Sequence, residues 1–242
     1  MKFVIFGQAR TGSTLLVRLL QSHPQVQCDG EILGNHLWGR RQKRFLRPIV
    51  RRFPEPYILW RASRSTAPAY GFKLLLNQVA APSTIIARLQ RLGWQIIHIQ
   101  RSRLFDIAMS RIVASMTKHW GEFRNDGQPT ITGLVVEPEY LLQQAQQCID
   151  LQQKELVALR TIPYLRVTYE DDLLDDQSRN HICSIIFTAL QVEQRQVFTA
   201  RQRSWDRPYS ELVTNFAELQ ALMESEQGMA LRREWERLIE HG

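Results

Sequence analysis

With 242 residues, 44% of them hydrophobic, the chain can bury a sizeable core and has the length of one large α/β domain or two small ones. Its aromatic and charged fractions are those of a folded globular protein, and its three widely spaced cysteines, Cys28, Cys148 and Cys183, exclude a disulfide framework or a zinc-binding pattern. A net charge of +7 directs attention to anionic partners: nucleotides, sulfated or phosphorylated substrates, nucleic acid or a membrane surface.

Residues 2–6, Lys-Phe-Val-Ile-Phe, read as a short buried parallel strand ended by Gly7. The run is too short for a secretory signal, and no stretch reaches the ~18 apolar residues of a membrane span. A cytoplasmic setting is therefore expected. From 13 to 22, Leu15, Leu16, Leu19 and Leu20 recur at helical spacing until His23-Pro24 stops the helix.

Between them lies Gly7-Gln-Ala-Arg-Thr-Gly-Ser-Thr14, spaced like a phosphate-binding P-loop but with Ser13 in place of its lysine. A strand, a glycine-bounded turn and a helix start make an anion site. The first backbone N–H groups of the helix have no partner within it, and the helix dipole adds positive charge. Gly12 lets an oxyanion approach the backbone, Ser13 and Thr14 offer hydroxyls, and the Arg10 guanidinium replaces the missing cation. No acidic residue ends the 95–100 strand, which runs into Gln100-Arg101. A metal-free anion, less charged than a triphosphate, fits this loop best.

Further along, residues 40–52 hold Arg40, Arg41, Lys43, Arg44, Arg47, Arg51 and Arg52. The run reads either as a solvated helix face or mobile loop, or as an electropositive lip over an acidic substrate or membrane headgroups. Strands are expected at 70–76, around Lys73, at 95–100 and at 164–169. The last leads into Glu170-Asp171-Asp172, where carboxylates suit a helix start. Helices are expected near 82–92, 104–116, 138–160, 178–190 and 210–239. This alternation predicts parallel βαβ units in a three-layer α/β fold, organised as one domain over 1–242.

The segment Gln8-Ala-Arg-Thr-Gly-Ser-Thr-Leu-Leu16 resembles the 5′-phosphosulfate loop of sulfotransferases that use 3′-phosphoadenosine-5′-phosphosulfate (PAPS), in the form found in bacterial carbohydrate and glycolipid members. The resemblance implies that Arg10, Thr11, Gly12, Ser13 and Thr14 hold the phosphosulfate. It also implies a P-loop-like sulfotransferase fold with no metal. The family's second mark is an arginine ending a strand and a serine on the next helix, which bind the 3′-phosphate. Arg101 and Ser110 stand at that spacing, with Arg103 close enough in sequence to share the contact. Tyr169-Glu-Asp-Asp-Leu resembles a later family segment and places Tyr169 near the adenine. Arg201-Gln-Arg-Ser-Trp205 resembles a C-terminal basic loop, with Arg203 among the nucleotide contacts.

Sulfuryl transfer needs cations on the leaving phosphate and a base for the acceptor hydroxyl. Arg10 and Lys73 are the candidate cations; Lys73 resembles the lysine of the K-T-H motif in cytosolic relatives, whose histidine is Leu75 here. Glu31, which corresponds to a glutamate of the bacterial members, is the first candidate base, and His36 is the alternative. Lys118-His-Trp-Gly-Glu-Phe123 could stack on a sugar. The expected acceptor is a hydroxyl-bearing molecule, acidic or membrane-borne, with a homodimer left open and no nucleic acid expected. The rival readings are a divergent P-loop nucleoside kinase and a basic nucleic-acid-binding protein.

Overall fold

The computed structural model describes residues 1–34, 46–118, 132–198 and 208–241, and the side chains of Leu46, Arg47 and His241 lie outside that description. The chain divides into two compact units, Met1–Gln100 with Lys154–Thr199, and Arg101–Gln153 with Ala200–Gly242.

The first unit is built on five parallel strands: β1 (Lys2–Gly7), β2 (Val26–Asp29), β3 (Ala69–Leu75), β4 (Trp94–Gln100) and β5 (Leu165–Thr168), in the order β2-β3-β1-β4-β5. In β1 every residue after Lys2 is buried, as a strand covered on both faces requires. Its pleat divides the core. Phe3 and Ile5 join Ala69, Ile97 and Ile99 in one apolar cluster with Leu16, Leu19 and Leu20 of α1 (Ser13–Gln21). Ile182, Ile186 and Phe187, from a later helix spanning Asp176–Leu190, complete that layer. The opposite parity carries Phe72 against the edge of Trp94, and Phe6 beside His98. This is the three-layer, parallel-sheet architecture expected from the alternation of elements.

Four of the five strands and the helix α1 fall within a residue or so of their expected bounds. β2 was not expected as a strand. It is four residues long, too short for a period-2 pattern to register, and it exists through pairing with β3, from Val26 beside Ala69 to Asp29 beside Phe72. The helices α2 (Leu46–Arg52) and α3 (Glu55–Ser63) were also not anticipated; Pro54 and Pro56 punctuate this stretch, and Pro56 sits in the first turn of α3, where its missing N–H costs nothing. The unit continues with α4 (Pro82–Arg91) before β4.

The second unit gathers α5 (Leu104–Thr117) and the first part of α6 (Pro138–Leu159) around a core of Ile107, Met109, Ile112, Leu141 and Ile149. After β5 come α7 (Tyr169–Asp172) and α8 (Asp176–Leu190) of the first unit. The helix expected over 210–239 is three helices: α9 (Tyr209–Leu212), α10 (Phe216–Glu224) and α11 (Glu226–His241). The Asn215 side chain breaks the pattern by accepting from Val136 N (3.1 Å) and donating to Val136 O (2.8 Å). Ser225 breaks it again: its hydroxyl donates to Leu222 O (2.6 Å) and accepts from Gly228 N (3.3 Å), ending one helix and capping the next. Trp235 is buried in this core and donates its indole N–H to Ser102 O (2.9 Å). The three cysteines are buried free thiols. None of the described helices is long and apolar enough to cross a membrane.

Candidate active site

Strand order reverses beside β1, with β3 on one side and β4 on the other, so the crevice at the carboxyl end of β1 is where a sheet of this type takes a ligand. The chain leaves that end through Gln8–Gly12. Thr11 is fully buried and its hydroxyl donates to Gln8 O (2.9 Å), bracing the loop from within. Arg10 and Gly12 both adopt left-handed backbone, at φ 74° and φ 87°. For glycine this conformation is cheap. For arginine it stores strain of about 1–3 kcal/mol, which the surrounding fold must offset, and such residues cluster at functional sites. Gly12 is also required by space. A Cβ there would collide with the ring of Tyr169, whose Cε2 would lie 2.9 Å away. Tyr169, expected near an adenine, is therefore packed directly on the loop. Ser13 is buried at the first turn of α1, and Thr14 follows it, half-buried.

Parity along β3 explains the next component. Lys73 has the same parity as Ala69, which packs in the α1 layer, so its side chain points toward α1. Its Nζ donates to Thr14 Oγ1 (3.0 Å) and lies 2.7 Å from Glu31 Oε1. Only 8% of the Lys73 side chain is exposed, against 26% for Glu31. A lysine from a neighbouring strand thus stands at the start of α1, beside the Thr14 hydroxyl.

Glu31 is held on both oxygens. Gln78 Nε2 donates to Oε2 (2.7 Å), while Gln78 Oε1 accepts from Leu75 N (3.1 Å). The turn beneath it is fixed by Lys73 N donating to Gly30 O (3.2 Å) and Gly34 N donating to Glu31 O (2.9 Å). One residue further back, Asp29 Oδ2 accepts from Arg61 Nη2 (2.6 Å) and from Tyr70 OH (2.9 Å). Burial and the Asp29 carboxylate push the Tyr70 hydroxyl well above the ordinary phenol range, so it stays a donor. Gln78 and the Asp29–Arg61–Tyr70 cluster were missed by sequence reasoning, since nothing in Leu-Asn-Gln-Val marks a glutamine that reaches back to a carboxylate.

A second polar pair joins β4 to α6. His98 Nε2 and Glu155 Oε2 are 3.0 Å apart and both side chains are fully buried. Burial raises the Glu155 carboxyl above its ordinary value, and the hydrogen bond from His98 opposes this in part.

Arg101 follows β4 and belongs to the second unit, where its Nη2 lies 3.6 Å from Asp106 Oδ2. Arg103 approaches the same carboxylate at 3.9 Å. Ser110 is buried on α5 of that unit. His36, Arg203, Arg201 and Trp205 lie outside the described residues, as do 119–123 of the candidate sugar-stacking segment and positions 40–45 of the basic run. Among the described residues, no three His, Cys, Asp or Glu side chains gather as a group that could hold a metal ion.

Residues 3–91 match the model of the sulfotransferase family. That span contains β1, the loop, Glu31, Lys73 and Gln78. Among curated proteins no sequence matches the chain. The sulfotransferase domain from the curacin biosynthetic pathway is similar over 96% of this chain and 96% of its own, at 12% identity and a TM-score of 0.52. A sulfotransferase from Alicyclobacillus acidocaldarius is aligned over 96% of this chain and 95% of its own, at 14% identity and a TM-score of 0.49. The chain therefore has the sulfotransferase fold, and its residues 3–91 carry the pattern of the sulfotransferase family.

Proposed function

We propose that the chain is a PAPS-dependent sulfotransferase of the bacterial type, acting on a hydroxyl of a carbohydrate, glycolipid or small metabolite. The observation that carries this reading is the position of Lys73 Nζ, within hydrogen-bond reach of both the Thr14 hydroxyl at the helix start and the Glu31 carboxylate. One ammonium group adjoins an anion cradle on one side and a proton acceptor on the other.

The donor supplies the sulfuryl group. In the proposed step the acceptor oxygen bonds to sulfur while the bond from sulfur to the 5′-phosphate oxygen breaks, and the electron pair stays on that phosphate. Lys73, Arg10 and the N–H groups at the start of α1 stabilise the charge that grows there. Glu31 takes the acceptor's proton, and Gln78 keeps the carboxylate in place. Sulfuryl carries less charge than phosphoryl, so side-chain cations suffice. Thr11, Gly12 and Ser13 contribute to the phosphosulfate cradle, Tyr169 contacts the adenine, and Arg101, Ser110 and Arg203 are the proposed contacts for the rest of the nucleotide. His36 is the second candidate base.

Calorimetric titration tests this reading with 3′,5′-ADP, 5′-AMP and Mg-ATP, on the wild type and on Arg101→Ala. The bisphosphate should bind at least about tenfold tighter than either other nucleotide, and the variant should lose that preference. Equal affinity for all three would remove the donor assignment.

A further inference from the structure

Within the first unit, the turn between α2 and α3 and the start of α4 border an open-sided cavity of about 260 Å³. Its walls are mainly apolar. Val79 and Ile85 are buried there, and Phe53 lines it while remaining 64% exposed. Three arginines, Arg51, Arg52 and Arg88, also line it. The cavity has one acid, Glu55, and that carboxylate lies 3.0 Å from Arg88 Nη1. Arg51 and Arg52 therefore bring two positive charges to the lining, beside an apolar wall, with no ion pair to either among the described residues. Ile49, 57% exposed on α2, extends the apolar surface next to them. The end of α2 is tied to the loop before α4, because Ala80 N donates to Arg51 O (3.4 Å).

Size and charge together narrow the occupant. The volume lies just under the ~300–1,000 Å³ of sites for drug-sized molecules. That admits one narrow chain. Guanidinium groups favour carboxylate, sulfate or phosphate oxygens, which each can bind in a planar fork. Apolar walls favour methylene groups.

We propose that this cavity binds a single-chain anionic amphiphile, with its acidic head on Arg51 and Arg52 and its chain against Val79, Ile85 and Phe53. The site takes one molecule at a time, and the inference goes beyond the sulfuryl-transfer reading without depending on it.

The test is calorimetric titration of the full chain with decanoate below its micelle concentration, alongside 1-decanol and acetate. Two variants accompany the wild type: the pair Arg51→Gln with Arg52→Gln, and Thr84→Trp, which adds bulk at an exposed position of the lining. Thermal melts check that both fold. Wild type should bind one decanoate, at least about tenfold tighter than decanol or acetate, and each variant should weaken decanoate by about tenfold or more. Decanoate binding no tighter than decanol, or unchanged in both folded variants, would overturn the proposal. A co-sedimentation arm uses vesicles of phosphatidylcholine with a quarter phosphatidylglycerol. Binding to these vesicles without binding of decanoate would also overturn it, because the arginines would then serve a lipid surface and not a cavity.

Discussion

The Lys73–Glu31 pair makes the sharpest prediction, because its stability and catalytic consequences are separable. At 2.7 Å, and with an effective dielectric of ~20, the two charges attract by about 6 kcal/mol before desolvation. Removing one partner of a fully buried pair costs about 3–5 kcal/mol, because the other charge stays buried without compensation. Here Glu31 keeps a quarter of its surface and Gln78 still donates to it, so the expected cost of Lys73→Met is lower, about 2–3 kcal/mol. In a chain of this length that lowers Tm by about 5–10 °C. Glu31→Gln leaves the Lys73 ammonium with the Thr14 hydroxyl alone and should cost about 1–2 kcal/mol.

The double variant decides the matter. Once both charges are gone neither remains uncompensated, so the two together should cost less than the sum of the single changes by about 1–2 kcal/mol. Thermal unfolding followed by circular dichroism measures all four corners of the cycle. Release of 3′,5′-ADP from PAPS with a panel of hydroxyl acceptors measures turnover on the same samples. Lys73→Met should lower kcat by about 10²–10³, the range for loss of one donor to a developing oxyanion. Glu31→Gln should lower it by about 10²–10⁴. Stability costs that add to within ~0.5 kcal/mol would show that the two side chains act independently, and the shared ion pair would be refuted.

Gln78→Leu removes the second tether of Glu31, and should lower kcat by about tenfold while KM for the donor holds, because the base loses its orientation and not its charge; an unchanged kcat would place Gln78 in a purely structural role. Gly12→Ala meets two costs, about 1 kcal/mol for the left-handed backbone and about 1–3 kcal/mol for pressing a methyl into Tyr169. Gly93→Ala is the control. Gly93 has φ 79° but nothing within 4 Å of its Cβ direction, so urea denaturation should show only the first cost, and equal losses at both positions would argue against the ring contact. Glu155 sets a pH dependence. Its carboxyl is raised in the fold, so between its ordinary value and the raised one the folded state binds more protons than the unfolded state. Stability attributable to this group is present at low pH and declines as pH rises through that window. Glu155→Gln should flatten urea-derived stability over the same interval, and an unaltered slope would locate the titration elsewhere.

How far the sequence could lead is clearest along β3. Its apolar run identified the strand, and the parity of its side chains already placed Lys73 on one particular face. What the run could not supply was the facing helix, because which layer covers which face depends on the order of strands. Once β1 lies between β3 and β4, with α1 over the Ala69 face, the direction of Lys73 follows and Thr14 becomes its neighbour. The loop Gly7–Thr14 was legible for a different reason. A strand, a glycine-bounded turn and a helix start are contiguous in the chain, and their chemistry resides in backbone geometry that short motifs encode.

The parts of the site that were missed are made by pairing between distant segments. β2 is too short to announce itself and becomes a strand through β3. Gln78 lies 47 residues from the carboxylate it orients, and Tyr169 reaches Gly12 from the far end of β5. For β2 and Gln78 the partner carries a local signal and the missed member has none; for Tyr169 and Gly12 both were marked and only their contact was not. A glutamine after a strand is unremarkable until the turn carrying Glu31 is brought to it, and that turn is brought there by Asp29, which Arg61 and Tyr70 hold. The Glu31 carboxylate is thus positioned by the same contacts that close the edge of the sheet, so changes that loosen β2 should disturb it before they unfold the domain.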